Sequence, residues 1–168
     1  MLGAGATLLY KNSQIERPCQ AELKQAWGGF LTELGDRAGG WDWWATLTYR
    51  DPHNPMLPNW TKPGWKYTEK GCNEFLTHLT FENNAKPLYW VRARELQPWR
   101  GVPHYHMLAG GVADVRRLDM MDWWFGKYGI ARIEPYDKGL GAGFYLCKYV
   151  NKELGDMEFS PGLTMKGK

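Results

Sequence analysis

His104 and His106 stand on either side of Tyr105 in the segment PHYHMLAG, residues 103–110. Side chains on a strand alternate between its two faces, so both imidazoles project the same way and can share one metal ion. A short turn at 97–101 joins this segment to LYWVRAREL, residues 88–96, and pairing around that turn brings Glu95 opposite His104. Cross-strand neighbours carry side chains roughly 5 Å apart, so two imidazoles and a carboxylate converge. Such a set leaves positions open for water and phosphate oxygens. Its mixed nitrogen and oxygen character suits Mn2+ or Mg2+ and also accepts Zn2+ or Co2+. The competing account makes Glu95 a surface carboxylate paired with Arg92 or Arg94.

A second group lies in FYLCKYVNKEL, residues 144–154, where Tyr145, Lys148, Tyr149 and Lys152 share one face of a helix. A phenolic oxygen attacks phosphorus when a cation lowers its pKa or neutralises the phosphate, and the ester conserves the energy of the broken bond. Each tyrosine has a lysine three residues on. The plainer account is the solvated stripe that any amphipathic helix needs. Thr46 and Thr48 project from one face of the segment WWATLTY, where their hydroxyls can contact a metal-bound phosphate or be ordinary strand residues.

These groups need a scaffold. Apolar residues recur at helical spacing over 16–37 until Gly39 and Gly40. Residues 43–49 read as a strand and residues 50–64, with four prolines, as a long loop. A helix over 67–83, strands over 88–96 and 103–110, a helix capped by Asp114 and running to about Lys127, a strand over 129–135 and a helix over 141–154 complete the chain. The order is helix, β-α-β-β-α-β, helix. That is the split β-α-β pattern of ferredoxin-like and RNA-recognition folds, an α+β class: an antiparallel sheet with helices on one face, the other face free for a ligand and the histidine strand central.

Composition bounds the rest. A chain of 168 residues suits one domain, and no apolar run approaches the roughly 20 residues of a membrane span. The net charge of +3 permits a polyanionic partner without requiring one. Ten Trp, nine Tyr and six Phe exceed what one small core needs, so some rings are expected at a surface, where they could stack on bases. Cys19, Cys72 and Cys147 are odd in number and widely spaced, as for reduced thiols, and the MLGAGATLLY start lacks a basic leader, so the expected location is the cytoplasm.

Taken together, WATLTYRDP, GVPHYHMLAGG and FYLCKYVNKE, in this order over roughly 43–153, resemble the three motifs of the HUH endonucleases. The tandem tyrosines resemble the rolling-circle replication initiators (Rep) of two-tyrosine phage and plasmid type. The resemblance implies a single nuclease domain over 1–168, with a core of about 41–155, an N-terminal helix within 1–40 and a tail over 156–168. It implies a nickase and ligase acting on single-stranded DNA at a replication origin through a 5′-phosphotyrosyl link. His104, His106 and Glu95 would hold the divalent metal, Mn2+ or Mg2+. Tyr145, which opens the tandem motif, or Tyr149 would attack, with Lys148 or Lys152 assisting.

The chain departs from the pattern in its bulky Tyr105 and has no room for a helicase domain, so a host or accessory helicase is implied. Arg92, Arg94, Arg100, Arg116, Arg117 and Lys127 are candidates for phosphate contacts, and Trp60, Trp65 and Trp99, placed in loops, for base stacking. Two other classes remain: a non-catalytic module that stacks single-stranded nucleic acid on an aromatic sheet, and a phosphodiesterase using metal-bound water.

Overall fold

The computed structural model describes residues 20–50, 63–97, 101–146 and 157–163. Four helices, α1 (Gln20–Ala38), α2 (Trp65–Glu82), α3 (Arg117–Lys127) and α4 (Gly141–Leu146), accompany five strands. These are β1 (Trp43–Tyr49), β2 (Tyr89–Leu96), β3 (Pro103–Gly110), β4 (Gly129–Pro135) and β5 (Met157–Phe159). The sheet is antiparallel with spatial order β4-β1-β3-β2-β5, so the histidine strand is central and the fold is the expected α+β split β-α-β.

Alternation along the strands sorts side chains onto two faces. Trp43, Ala45, Leu47 and Tyr49 of β1 join Tyr105, Met107 and Ala109 of β3 in a core with Phe75 and Leu79 of α2 and Met120 and Trp124 of α3. The two helices within the repeat therefore share one face, as expected. The opposite face is not left free, which corrects the simple picture. Val91, Ala93 and Leu108 pack there against Leu31 and Leu34 of α1 and Ala142, Tyr145 and Leu146 of α4. Removing such surface from water is worth about 2 kcal/mol per fully buried leucine, enough to seat two flanking helices on the sheet.

Local contacts fix that second layer. Thr32 donates its hydroxyl to the Gly28 carbonyl and accepts the Ala142 amide at 3.2 Å, tying α1 to the first turn of α4. The Trp41 indole crosses α1 at Gly35, donating to the Leu31 carbonyl; a Cβ at Gly35 would stand 2.1 Å from the ring.

Three expectations need correction. Asp114 does not cap α3, whose N-cap is Arg116 without a side-chain bond; Asp114 pairs with Lys86 at 2.9 Å, which holds its carboxyl below the usual range. Residues read as a tail include β5, paired with β2 from Met157↔Ala93 to Phe159↔Val91. Trp65 opens helix α2 rather than lying in a loop. The helix expected over 141–154 is described only to Leu146, and Cys19, Trp60, Trp99, Arg100 and Cys147 also lie outside the described residues.

Candidate metal and phosphate site

The β2–β3 register pairs Glu95 with His104 and Ala93 with His106, as turn geometry predicts. Gln97 donates its amide to the Val102 carbonyl at 3.0 Å and Gly101 donates to the Gln97 carbonyl at 2.7 Å, closing the turn; Gly101 takes a positive φ of 60°. The result is convergence on one oxygen. His104 Nε2 lies 2.8 Å and His106 Nε2 3.3 Å from Glu95 Oε2, with side-chain exposures of only 10%, 8% and 15%.

One donor atom from each of the three residues lies within 4.8 Å of the others, and no second group of three such residues gathers among the described residues. His106 Nδ1 meets the Thr46 hydroxyl at 3.1 Å, the kind of outer contact that orients a metal-ligating imidazole. His104 Nδ1 is buried with no hydrogen-bond partner among the described residues. Two imidazole nitrogens aimed at one carboxylate, recessed yet chargeable, fit a divalent cation better than a surface ion pair.

Thr46 and Thr48 lie on this face beside His106 and His104. The expected phosphate-binding arginines do not. Because Glu95 shares its face with Ala93 and Val91, Arg92 and Arg94 must point to the other side. Arg92 is 3% exposed, bonded to Glu158 through Nε and Nη2 and to Asn73 through Nη1. Arg94 lies over the Trp65 ring at 4.4 Å. Arg116 pairs with Asp119, Arg117 donates to the Ile133 carbonyl, and Lys127 lies over Trp123. Period-two alternation, applied to β2 as it was to β3, would have excluded Arg92 and Arg94 from sequence alone.

Tyr105 follows the same rule. Its ring is turned away from the histidines into the α2–α3 core, where its bulk is accommodated at 0% exposure and burial pushes its hydroxyl up to about 12.

Tyr145 is also placed differently from the expectation for an attacking residue. Its ring packs on Trp44 and Tyr136, its exposure is 7%, and its hydroxyl accepts the Asp137 amide at 3.1 Å. That oxygen is bonded at the loop following β4, whose Pro135 pairs with Trp43, whereas His104 pairs with Thr48 at the other end of β1. The structure brings together Glu95, His104, His106, Thr46 and Thr48, and leaves Tyr145 apart. Lys148, Tyr149 and Lys152 lie outside the described residues.

The family model for replication-associated protein ORF2 matches residues 42–154, about two thirds of the chain. The chain belongs to this replication-associated family. The match spans the site and every strand from β1 to β4, and it supports a Rep-type replication initiator. No curated protein and no solved structure matches significantly. Membership agrees with a single-stranded DNA partner at an origin, and no helix among the described residues is long and apolar enough to cross a membrane.

The aromatic-platform alternative finds little support in this geometry. The strand rings Trp43, Trp44, Tyr49, Tyr89, Trp90 and Tyr105 are all buried or half-buried, so the described sheet offers bases no exposed ring.

Proposed function

We propose that this replication-associated protein is a metal-dependent HUH endonuclease and strand transferase of the two-tyrosine type. It nicks single-stranded DNA at an origin, initiates rolling-circle replication and rejoins the strand. The observation that carries this reading is the meeting of His104 and His106 Nε2 on Glu95 Oε2 within the family-matched segment. A divalent ion, Mn2+ or Mg2+, held by these three residues supplies positive charge to the non-bridging oxygens of a bound phosphodiester.

The chain's own residues do the rest. A tyrosine oxygen attacks phosphorus, the bond to the 3′ oxygen breaks, and a 5′-phosphotyrosyl ester forms. The phenolic proton leaves through the neighbouring lysine, and the 3′ oxygen departs as a hydroxyl that primes synthesis. Attack by a 3′-hydroxyl on the ester reverses the step and rejoins the strand. The buried, bonded hydroxyl of Tyr145 favours Tyr149 as the first nucleophile, with Lys148 and Lys152 as the assisting cations. Thr46 holds His106 in orientation. Unwinding falls to a host or accessory helicase, and the working compartment is the cytoplasm of a prokaryotic host.

A denaturing-gel adduct assay tests this reading. The protein is incubated with single-stranded oligonucleotides from its own replicon and Mn2+ or EDTA, beside Tyr145→Phe, Tyr149→Phe and the double variant. A metal-dependent shift lost in Tyr149→Phe is expected. Cleavage with no adduct in any sample would transfer the chemistry to metal-bound water and leave the tyrosines without a role.

A further inference from the structure

The edge strand β4 adds a residue that charge and motif spacing did not single out. Its register with β1 pairs Ile130 with Thr48 and Arg132 with Thr46, while β1 pairs Thr48 with His104 and Thr46 with His106. Ile130, Arg132 and Glu134 therefore project from the same face as the Glu95–His104–His106 group, two strands away. Neighbouring strands lie about 4.8 Å apart, which puts the Arg132 backbone roughly 10 Å from that of His106.

The exposures are unlike those of the arginines on the opposite face. Arg132 keeps 67% of its side chain accessible, and Ile130 is 67% exposed, an unusual fate for a β-branched residue beside a recessed polar site. The Arg132 guanidinium lies over the Trp44 ring at 5.3 Å and donates Nε to Glu134 Oε1 at 2.6 Å. Trp44 fixes its position from beneath, and Glu134, itself 39% exposed, occupies only part of its five-donor fork.

Building on the function proposed for the metal site, we infer that Arg132 is a substrate-positioning residue that binds a backbone phosphate of the single strand next to the one held at the metal site. Ile130 supplies an apolar seat for the adjoining nucleotide, and Glu134 occupies the guanidinium when no DNA is bound. The placement supports this use: a strand laid across the sheet from β3 to the β4 edge passes from the histidines over Thr46 to Arg132. Along that path phosphate meets an arginine pre-oriented by an aromatic face, the fork geometry that suits phosphate best.

Fluorescence anisotropy with a labelled single-stranded oligonucleotide of about twenty nucleotides, in EDTA and over a KCl series, tests the assignment. Arg132→Ala is expected to weaken binding roughly tenfold at low salt and to reduce the slope of log affinity against log salt by about 0.7. Arg132→Lys keeps the slope. Glu134→Gln tightens binding in the wild-type background and loses that gain in the Arg132→Ala background.

Mn2+ titration of the same proteins, with Glu95→Gln as comparison, reads the metal site separately. Unchanged affinity and slope in Arg132→Ala, with Mn2+ binding intact, would overturn the Arg132 assignment and leave the proposed function standing. Mn2+ binding no weaker in Glu95→Gln than in wild type would instead remove the metal site and leave the Arg132 result to be read from DNA binding alone. A wild-type protein that binds no single strand would overturn both.

Discussion

The two faces of the sheet handle buried polar groups in opposite ways. On the α2–α3 face, Arg92 reaches Glu158 on β5 and Asn73 on α2 and lies over the Trp90 and Tyr105 rings at 5.0 and 5.4 Å. Its charge is answered by the protein itself. On the other face, Glu95, His104 and His106 converge on one another, and His104 Nδ1 has no partner among the described residues. A self-satisfied cluster holds a fold together; one that gathers donor atoms at a single point suits an ion from outside.

The largest effect is expected from emptying the second cluster. His104→Ala or Glu95→Gln should lower metal-dependent adduct formation at least about a thousandfold, read in single turnover, because a divalent ion contributes most of the charge stabilisation in phosphoryl transfer. Melting in EDTA should stay within a few degrees of wild type, which separates chemistry from folding. Loss of cooperative unfolding in either variant would erase the contrast. Thr46→Val should leave the ligands in place but weaken metal affinity about 10- to 100-fold, by calorimetric Mn2+ titration, since it removes the group that orients His106.

Arg92→Met should do the reverse. It costs roughly 2 kcal/mol of stability by urea unfolding, below the range for a fully buried pair because Glu158 keeps 42% of its side chain accessible. Activity per folded molecule should be unchanged. Tyr145→Phe should cost about 1 kcal/mol by removing the acceptor for the Asp137 amide, while adduct formation persists; abolished adduct would restore Tyr145 as the nucleophile.

The smallest effect concerns the Tyr105 hydroxyl, buried without a hydrogen-bond partner among the described residues. Tyr105→Phe should be neutral or stabilise by up to about 1 kcal/mol. A clear destabilisation would mean that the hydroxyl is satisfied.

Much of the site is legible in the amino-acid sequence, because it rests on local rules. Strand periodicity put His104 and His106 on one face, and the short turn set the register that delivers Glu95. The same periodicity contained the warning about Arg92 and Arg94, which charge alone had suggested as phosphate contacts. The short β5 was not legible, since three residues with no turn signal are stabilised mainly by the edge they join. Nor was Arg132, whose relation to the histidines depends on the β4–β1 register, set by elements more than 80 residues apart in the pairing Thr46↔Arg132 and closed by no short turn.

From the sequence alone come the element order, the α+β class, the shared face of the histidines and the family to which the motifs point. Backbone geometry enforces periodicity residue by residue, and a tight hairpin transmits it across one turn. Only the tertiary structure decided that α1 and α4 cover part of the site face, that Arg92 finds Glu158, that Tyr145 is anchored at Asp137 and that Arg132 stands beside the metal group. Those outcomes depend on which distant segments fill the same space, and burial energy settles that for the chain as a whole rather than for any one segment.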